Sequence, residues 1–291
     1  MNKILVTGGS GFLGRYLIKK LLVKDKELKI RTISRNENDT QRILTMCDSE
    51  RLKPIIGDIR DIDVVKYALR GVDTVVHLAA MKHIDFCEMY PLEAFSINVV
   101  GTLNLLKFFG GNTFLAMSTD KAAEATSCYG ATKLLMEKLV LGKASEDKSR
   151  RYVIVRSGNI FGSSGSVIEK WRQQVNDSNE IIATDLNMTR FFIDVNTLAD
   201  FIIDILEEGK TGNIYIPFQK AIKLEDLAKA VIELNGNKNT RIKSVGLRKG
   251  EKLHEKLFSA EDNVITSLQD SYSQNVEKLG LEEIKSLLKT Q

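Results

Sequence analysis

The chain has 291 residues, enough for one large domain or for a large domain with a smaller lobe. Its 42 basic residues against 38 acidic ones leave a net charge of +4, too weak an excess for nucleic-acid binding, and 43% apolar content is ordinary for a globular protein. No apolar run approaches the roughly 20 residues of a membrane span, and three Cys (Cys47, Cys87, Cys128) and three His (His77, His83, His254), without metal-ligand spacing, fit a reducing compartment and no metal site.

Met1-Asn2-Lys3 runs straight into an apolar segment, unlike a signal peptide, so a cytoplasmic location is expected. Residues 4–6 read as a strand and 12–23 as a helix. Between them lies Thr7-Gly8-Gly9-Ser10-Gly11-Phe12-Leu13-Gly14. Gly8 permits a tight turn, Gly11 lets backbone approach a pyrophosphate, and Gly14 lets the helix lie close on the strand. With a strand before and a helix after, the turn predicts dinucleotide binding, with Phe12 and Leu13 at the helix N-terminus facing the anion.

Residues 28–33 form a second strand ending in Ser34-Arg35. An acidic residue there would bind a ribose 2′-hydroxyl, whereas a hydroxyl and a guanidinium suit a 2′-phosphate. The expected cofactor is therefore NADP, with NAD as the alternative. Residues 54–56 are a third strand, followed by Asp58, placed to meet an adenine amino group. Residues 62–69 are helical, and 73–78 are a fourth strand. It ends in Ala79-Ala80, small enough to leave room for the cofactor, and Lys82-His83, expected at the substrate.

Residues 91–109 read as one long helix with Pro91 in its first turn, carrying Asn98 to order backbone near the site. Residues 113–117 are a fifth strand, 127–141 a helix and 152–155 a sixth strand. This alternation predicts an α/β, Rossmann-like doubly wound parallel sheet with ligands at the carboxyl ends of its strands. After Arg156 the alternation loosens into the loop 158–165 and further short elements, ending in an amphipathic helix over 279–288. The expected division is a cofactor domain of 1–157 plus about 190–210, and a smaller, sequence-discontinuous α/β substrate lobe of 158–189 and 211–291.

The fifth strand runs into Ser118-Thr119-Asp120-Lys121, nine residues before Tyr129, and Tyr129 and Lys133 share one helix face. A Lys ammonium beside the phenol would lower its pKa and make Tyr129 a base. Cys128, next to it, is read as a packing residue.

These pieces resemble the extended short-chain dehydrogenase/reductase family over nearly the whole chain. Several stretches narrow the resemblance: His77-Leu78-Ala79-Ala80-Met81-Lys82-His83, Ser118-Thr119-Asp120-Lys121-Ala122, Gly158-Asn159, Gly162-Ser163-Ser164-Gly165-Ser166, Met188-Thr189-Arg190-Phe191-Phe192 and Gly250-Glu251-Lys252-Leu253-His254-Glu255. They are similar to the UDP-N-acetylglucosamine 4,6-dehydratase branch of polysaccharide and nonulosonic-acid synthesis. The branch often has Pro before the Tyr, Tyr before Gly-Asn and Pro before Gly-Glu-Lys; here Glu124-Ala125-Thr126-Ser127, Ser157 and Lys249 stand there.

The resemblance implies a UDP-sugar partner and a hydro-lyase reaction. Tyr129 and Lys133 would serve oxidation at C4, Lys121 would be the C5 base, and Asp120 the acid for the departing 6-oxygen. Thr119, Lys82, His83, Asn159, Arg190, Arg248 and Glu251 would meet the substrate, and a homo-oligomer without membrane or nucleic-acid partners is expected. For this chemistry Asp120 must hold a proton and Lys121 must be neutral, which a close ion pair opposes, so the two are expected apart. A 4-epimerase would need only Tyr129 and Lys133, and a non-catalytic cofactor-binding regulator neither pair.

Overall fold

The computed structural model describes residues 1–163, 165–237, 239–248 and 250–289. Ser164 and Lys249, both singled out in the sequence, lie outside the described residues. The chain opens with β1 (Lys3–Thr7), α1 (Phe12–Lys24), β2 (Lys29–Ser34), α2 (Glu37–Cys47), β3 (Leu52–Ile56), α3 (Ile62–Leu69) and β4 (Thr74–His77). Then come α4 (Ile84–Met89), α5 (Pro91–Phe95), a π-helical turn (Ser96–Val100), α6 (Gly101–Phe108), β5 (Thr113–Thr119), a 3₁₀ turn (Asp120–Ala122), α7 (Cys128–Glu146) and β6 (Arg151–Ser157). The remainder is β7 (Asn159–Ile160), α8 (Val167–Ser178), β8 (Glu180–Ala183), β9 (Thr189–Ile193), α9 (Val195–Glu208), β10 (Ile214–Ile216), β11 (Lys220–Lys223), α10 (Leu224–Asn235), β12 (Arg241–Ser244), β13 (Val264–Thr266) and α11 (Leu281–Lys289).

Eight strands form one parallel sheet in the order β13-β10-β6-β5-β4-β1-β2-β3. Alternation along β1 shows how the sheet is held. Ile4 and Val6 join a core with α1 and α9, Leu5 joins the opposite core, and all three are fully buried. Each such side chain contributes about 1.5–3 kcal/mol. Strand order reverses between β1 and β4, the switch point at which doubly wound sheets bind ligands beyond their carboxyl ends.

The expected division of the chain needs two corrections. β10 and β13, assigned to the second lobe, extend the main sheet beyond β6. β9, assigned to the first domain, lies between β11 and β7 in a three-stranded sheet of the lobe, which also has the pair β12-β8. Short apolar strands such as Phe191-Phe192-Ile193 carry no mark of which sheet they join. α9 does return to the main sheet, where it packs on α1. The expected helix over 91–109 is helical throughout 91–108 but is interrupted by the π turn, and α2, α4 and α8 come in addition. Among the described residues, no helix is long and apolar enough to cross a membrane.

Candidate active site

The carboxyl ends of β1, β4, β5 and β6 open into a cleft of about 920 Å³ between sheet and lobe. At one end Gly8 has a φ of +68°, and a Cβ there would lie 2.8 Å from the Ala79 nitrogen. A Cβ on Gly14 would lie 2.5 Å from the Gly8 carbonyl, so helix and turn touch through backbone alone. α4, α5, α6 and α10 begin without a side-chain cap, and so does α1. Its first N–H groups, including those of Phe12 and Leu13, are thus positioned for an anion. This cradle fits a dinucleotide pyrophosphate.

Gly11, Ser34, Arg35, Asp58, Ala79 and Ala80 line the same end of the cleft. The Ser34 and Ser10 hydroxyls are 2.8 Å apart, and the Arg35 side chain is 59% exposed, 3.9 Å from Asp58. Asp58 is bound more tightly by Arg60, at 2.7 Å, and Arg60 also reaches Glu93 at 2.8 Å. Burial would raise the Asp58 pKa, but the Arg60 hydrogen bonds and charge bring it below the ordinary value. Asn98 acts on backbone as expected: its amide bonds both Met81 N (2.8 Å) and Met81 O (3.0 Å), and Thr132 (3.0 Å).

Tyr129 and Lys133 enter the cleft from the first turns of α7, which the Ser127 hydroxyl caps at Gly130 N. The expected phenol–ammonium pairing is not formed. Lys133 Nζ donates to Met117 O at 2.6 Å and contacts Met136 Sδ at 3.0 Å, because a buried ammonium takes the nearest acceptors. Burial pushes the Lys133 pKa down to about 8. Burial also pushes Tyr129 up to about 12, only partly opposed by the Lys121 charge and the Thr119 hydroxyl.

The second correction concerns Asp120 and Lys121, which are bonded rather than apart. Lys121 Nζ lies 2.9 Å from Asp120 Oδ1, and the Thr119 hydroxyl donates to the same oxygen at 2.8 Å. Asp120 is fully buried, so the adjacent ammonium is its natural partner. Burial alone would lower the Lys121 pKa, yet the carboxylates of Asp120 and Glu255 raise it above the ordinary lysine range.

Glu255 was quoted in a sequence run but given no role. It arrives from the second lobe, 3% exposed, and its carboxylate lies 3.6 Å from Lys121, 3.7 Å from Arg190 and 3.8 Å from Lys252. Asp120 Oδ2 and Glu255 Oε2 are both buried without a hydrogen-bond partner among the described residues. The Glu in Gly-Glu-Lys-Leu-His-Glu was visible, but its fold-back onto Lys121 was not.

The other expected substrate residues line the cleft too: Lys82, His83, Asn159, Arg190, Arg248 and Glu251. Burial lowers the pKa of Lys82 and of His83. Asn159 is tied to Phe191 O at 3.1 Å. Arg190 binds the carbonyls of Thr189 and Leu253 and that of Lys252 (2.8 Å), which turns the 252–255 segment toward Lys121. Arg248 meets Asp85 of α4 at 3.1 Å, and Glu251 accepts from Arg248 N. Glu124 binds Lys256 (2.9 Å) and the Tyr272 hydroxyl (3.2 Å). His77 is spent on structure: its ring bonds Thr7 and Thr102, and burial holds it neutral with a pKa near 3. The Cys128 thiol is pushed up by burial, which makes it a poor nucleophile.

Residues 4–276 match the family described as polysaccharide biosynthesis protein. The chain is similar to a UDP-N-acetylglucosamine 4,6-dehydratase (inverting) of Campylobacter jejuni, 35% identical over 93% of this chain and 81% of that one. It is also similar to a UDP-glucose 4-epimerase of Rickettsia akari, 34% identical over 99% of this chain and 95% of that one. Among solved structures, Pen from Bacillus thuringiensis superposes with a TM-score of 0.90 at 30% identity, covering 100% of this chain and 98% of that one.

Proposed function

Because the chain belongs to the polysaccharide biosynthesis protein family, of the nucleotide-sugar dehydratase/epimerase class, we propose that it is an NADP-dependent UDP-N-acetylglucosamine 4,6-dehydratase. The observation that carries this reading is the meeting of Lys121 with Tyr129 in one cleft, with the buried Asp120 carboxylate bridged to Lys121 behind it. A bound nicotinamide would supply reversible hydride transfer between sugar C4 and C6. The α1 N-terminus and the Gly8–Gly14 turn would hold its pyrophosphate, with Ser34 and Arg35 at a 2′-phosphate; NAD is the alternative.

The Tyr129 phenol, held up to about 12 by burial, must ionise before it takes the 4-hydroxyl proton, and the positive charge of a bound oxidised nicotinamide would favour that. The 4-ketone acidifies C5–H, Lys121 removes that proton, and Asp120 protonates the departing 6-oxygen. The 2.9 Å bridge is the same pair with its proton on the amine. Moving that proton to Asp120 creates amine and acid together without an outside donor. Excluding water favours this neutral form, because only the charged form loses hydration. Arg190, already beside Glu255, is the proposed contact for a substrate phosphate.

Incubation with UDP-N-acetylglucosamine in deuterated water, read by NMR, should give a 4-keto-6-deoxy product with deuterium at C5, and K121M should lose it by roughly 10²–10⁴-fold. Unchanged substrate sinks the reading. A second reading, 4-epimerase, is favoured by the Rickettsia akari relative, which matches almost the full chain. It predicts a 4-epimer with the 6-hydroxyl intact and a K121M variant that keeps its activity.

A further inference from the structure

Among the described residues, six buried side-chain atoms lack a hydrogen-bond partner, and four of them belong to the two segments that meet at Lys121. They are Ser118 Oγ and Asp120 Oδ2 around the end of β5, and Lys252 Nζ and Glu255 Oε2 from the lobe. Burying such atoms without partners is costly, so a cluster of them calls for a cause. Lys252 Nζ and Glu255 Oε2 lie 3.8 Å apart, too far for a hydrogen bond, and both residues line the cleft.

A loosely held segment would explain the last two, but this one is anchored at each residue. Arg190 binds the carbonyls of Lys252 (2.8 Å) and Leu253 (3.1 Å), and the His254 ring bonds Thr189 (2.8 Å). The Glu255 N–H donates to the Ser273 hydroxyl (3.0 Å). The Glu255 carboxylate is 3.6 Å from Lys121 and 3.7 Å from Arg190, ion-pair distances that form no hydrogen bond. The other carboxylate beside Lys252, that of Glu124, is 3.9 Å away. An unpartnered donor and an unpartnered acceptor this close can be bridged by one group that accepts from the first and donates to the second. A hydroxyl does both.

We propose that Lys252 and Glu255 hold the 6-hydroxyl of the reacting sugar, Lys252 donating to O6 and Glu255 Oε2 accepting from its O–H. The inference rests on the dehydratase reading and adds a subsite to it. In that reading Tyr129 faces the 4-hydroxyl and Lys121 faces C5–H. The Glu255 carboxylate borders Lys121 with one oxygen and Lys252 with the other. Apart from the hydroxyl at Tyr129, the one on a carbon next to C5 is that of C6. When the C6–O6 bond breaks, the departing water carries its original proton and the one given by the Asp120–Lys121 pair, so Glu255 gains and loses none. The product has a methyl group at C6, which leaves Lys252 and Glu255 unpartnered again and weakens its hold on the cleft.

The test is calorimetric binding to protein loaded with reduced nicotinamide cofactor, which cannot oxidise C4. It compares UDP-N-acetylglucosamine with its 6-deoxy analogue. Wild type should prefer the sugar with the 6-hydroxyl by at least about tenfold. K252M/E255M, which removes one charge of each sign, should bind the two sugars within roughly twofold of each other. E255Q, the milder change, should lower the preference about threefold and decides the matter if the double variant does not fold. Equal binding of the two sugars by wild type, or a preference unchanged in the variants, overturns the subsite and leaves the gap to water. The dehydratase reading survives that result if wild type still makes 4-keto-6-deoxy product from UDP-N-acetylglucosamine. A wild-type protein that makes none overturns both.

Discussion

At the scale of single residues, the chemistry turns on groups whose charge is set by burial. Lys133 is 4% exposed and meets a carbonyl and a thioether rather than a carboxylate at its ammonium. Its pKa falls from 10.5 to about 8. Between those values the unfolded chain holds a proton that the folded chain has released. Stability therefore rises with pH across this window, and the contribution is lost as pH falls through about 8. The full effect is on the order of 3 kcal/mol. Denaturant unfolding of wild type and K133M from pH 8 to 10.5 should show wild type gaining on the variant; a constant difference refutes the assignment. Tyr129, Lys133, Asp120 and Lys121 were all legible as candidates because their spacing puts them near one strand end. Their hydrogen-bond partners were not. Whether Lys121 meets Asp120 depends on how completely Asp120 is buried, a property of the packed molecule.

At the scale of elements, a strand or helix was legible where its apolar pattern was strong. The residues of β1, α3 and β4 could be read almost to their ends. α2 was missed because Thr40 and Ile43 are its only buried residues, so it has almost no apolar face. α8 buries Ile168, Trp171 and Val175, spaced at 3 and 4, but strongly polar neighbours diluted that signal. The π turn left no pattern of its own. It is held by Asn98, which is 1% exposed and fastens the 79–83 segment to α7 through Met81 and Thr132. π turns of this kind often lie at functional sites. N98A would leave the Met81 amide unpaired and the Met81 carbonyl with only the weak Cys87 thiol donor, at a cost of about 1–3 kcal/mol. A urea midpoint unchanged from wild type would show that Asn98 does not hold this junction.

At the scale of the whole molecule, one surface is hard to reconcile with a lone chain. Helices α4 and α5 and the residue between them expose Phe86, Met89, Tyr90, Leu92 and Phe95, with Leu92 81% exposed. Leu103 of α6 and Leu135 of α7 are also exposed on neighbouring helices. Scattered apolar residues are normal on a surface, but a group of large ones on adjoining helices marks an interaction site. The sequence concealed this face because the same residues would equally suit a buried helix. Two copies meeting through it form a self-complementary two-fold contact, the commonest symmetry of soluble oligomers. α7 lies alongside and carries Tyr129 and Lys133, so the contact would brace the helix that presents them. Light scattering on the eluting protein should give a mass above the 32.6 kDa of one chain, and L92E should move it toward that value. A wild-type protein that elutes as a single chain at micromolar concentration would reject this face as a self-association surface and leave it to a different partner.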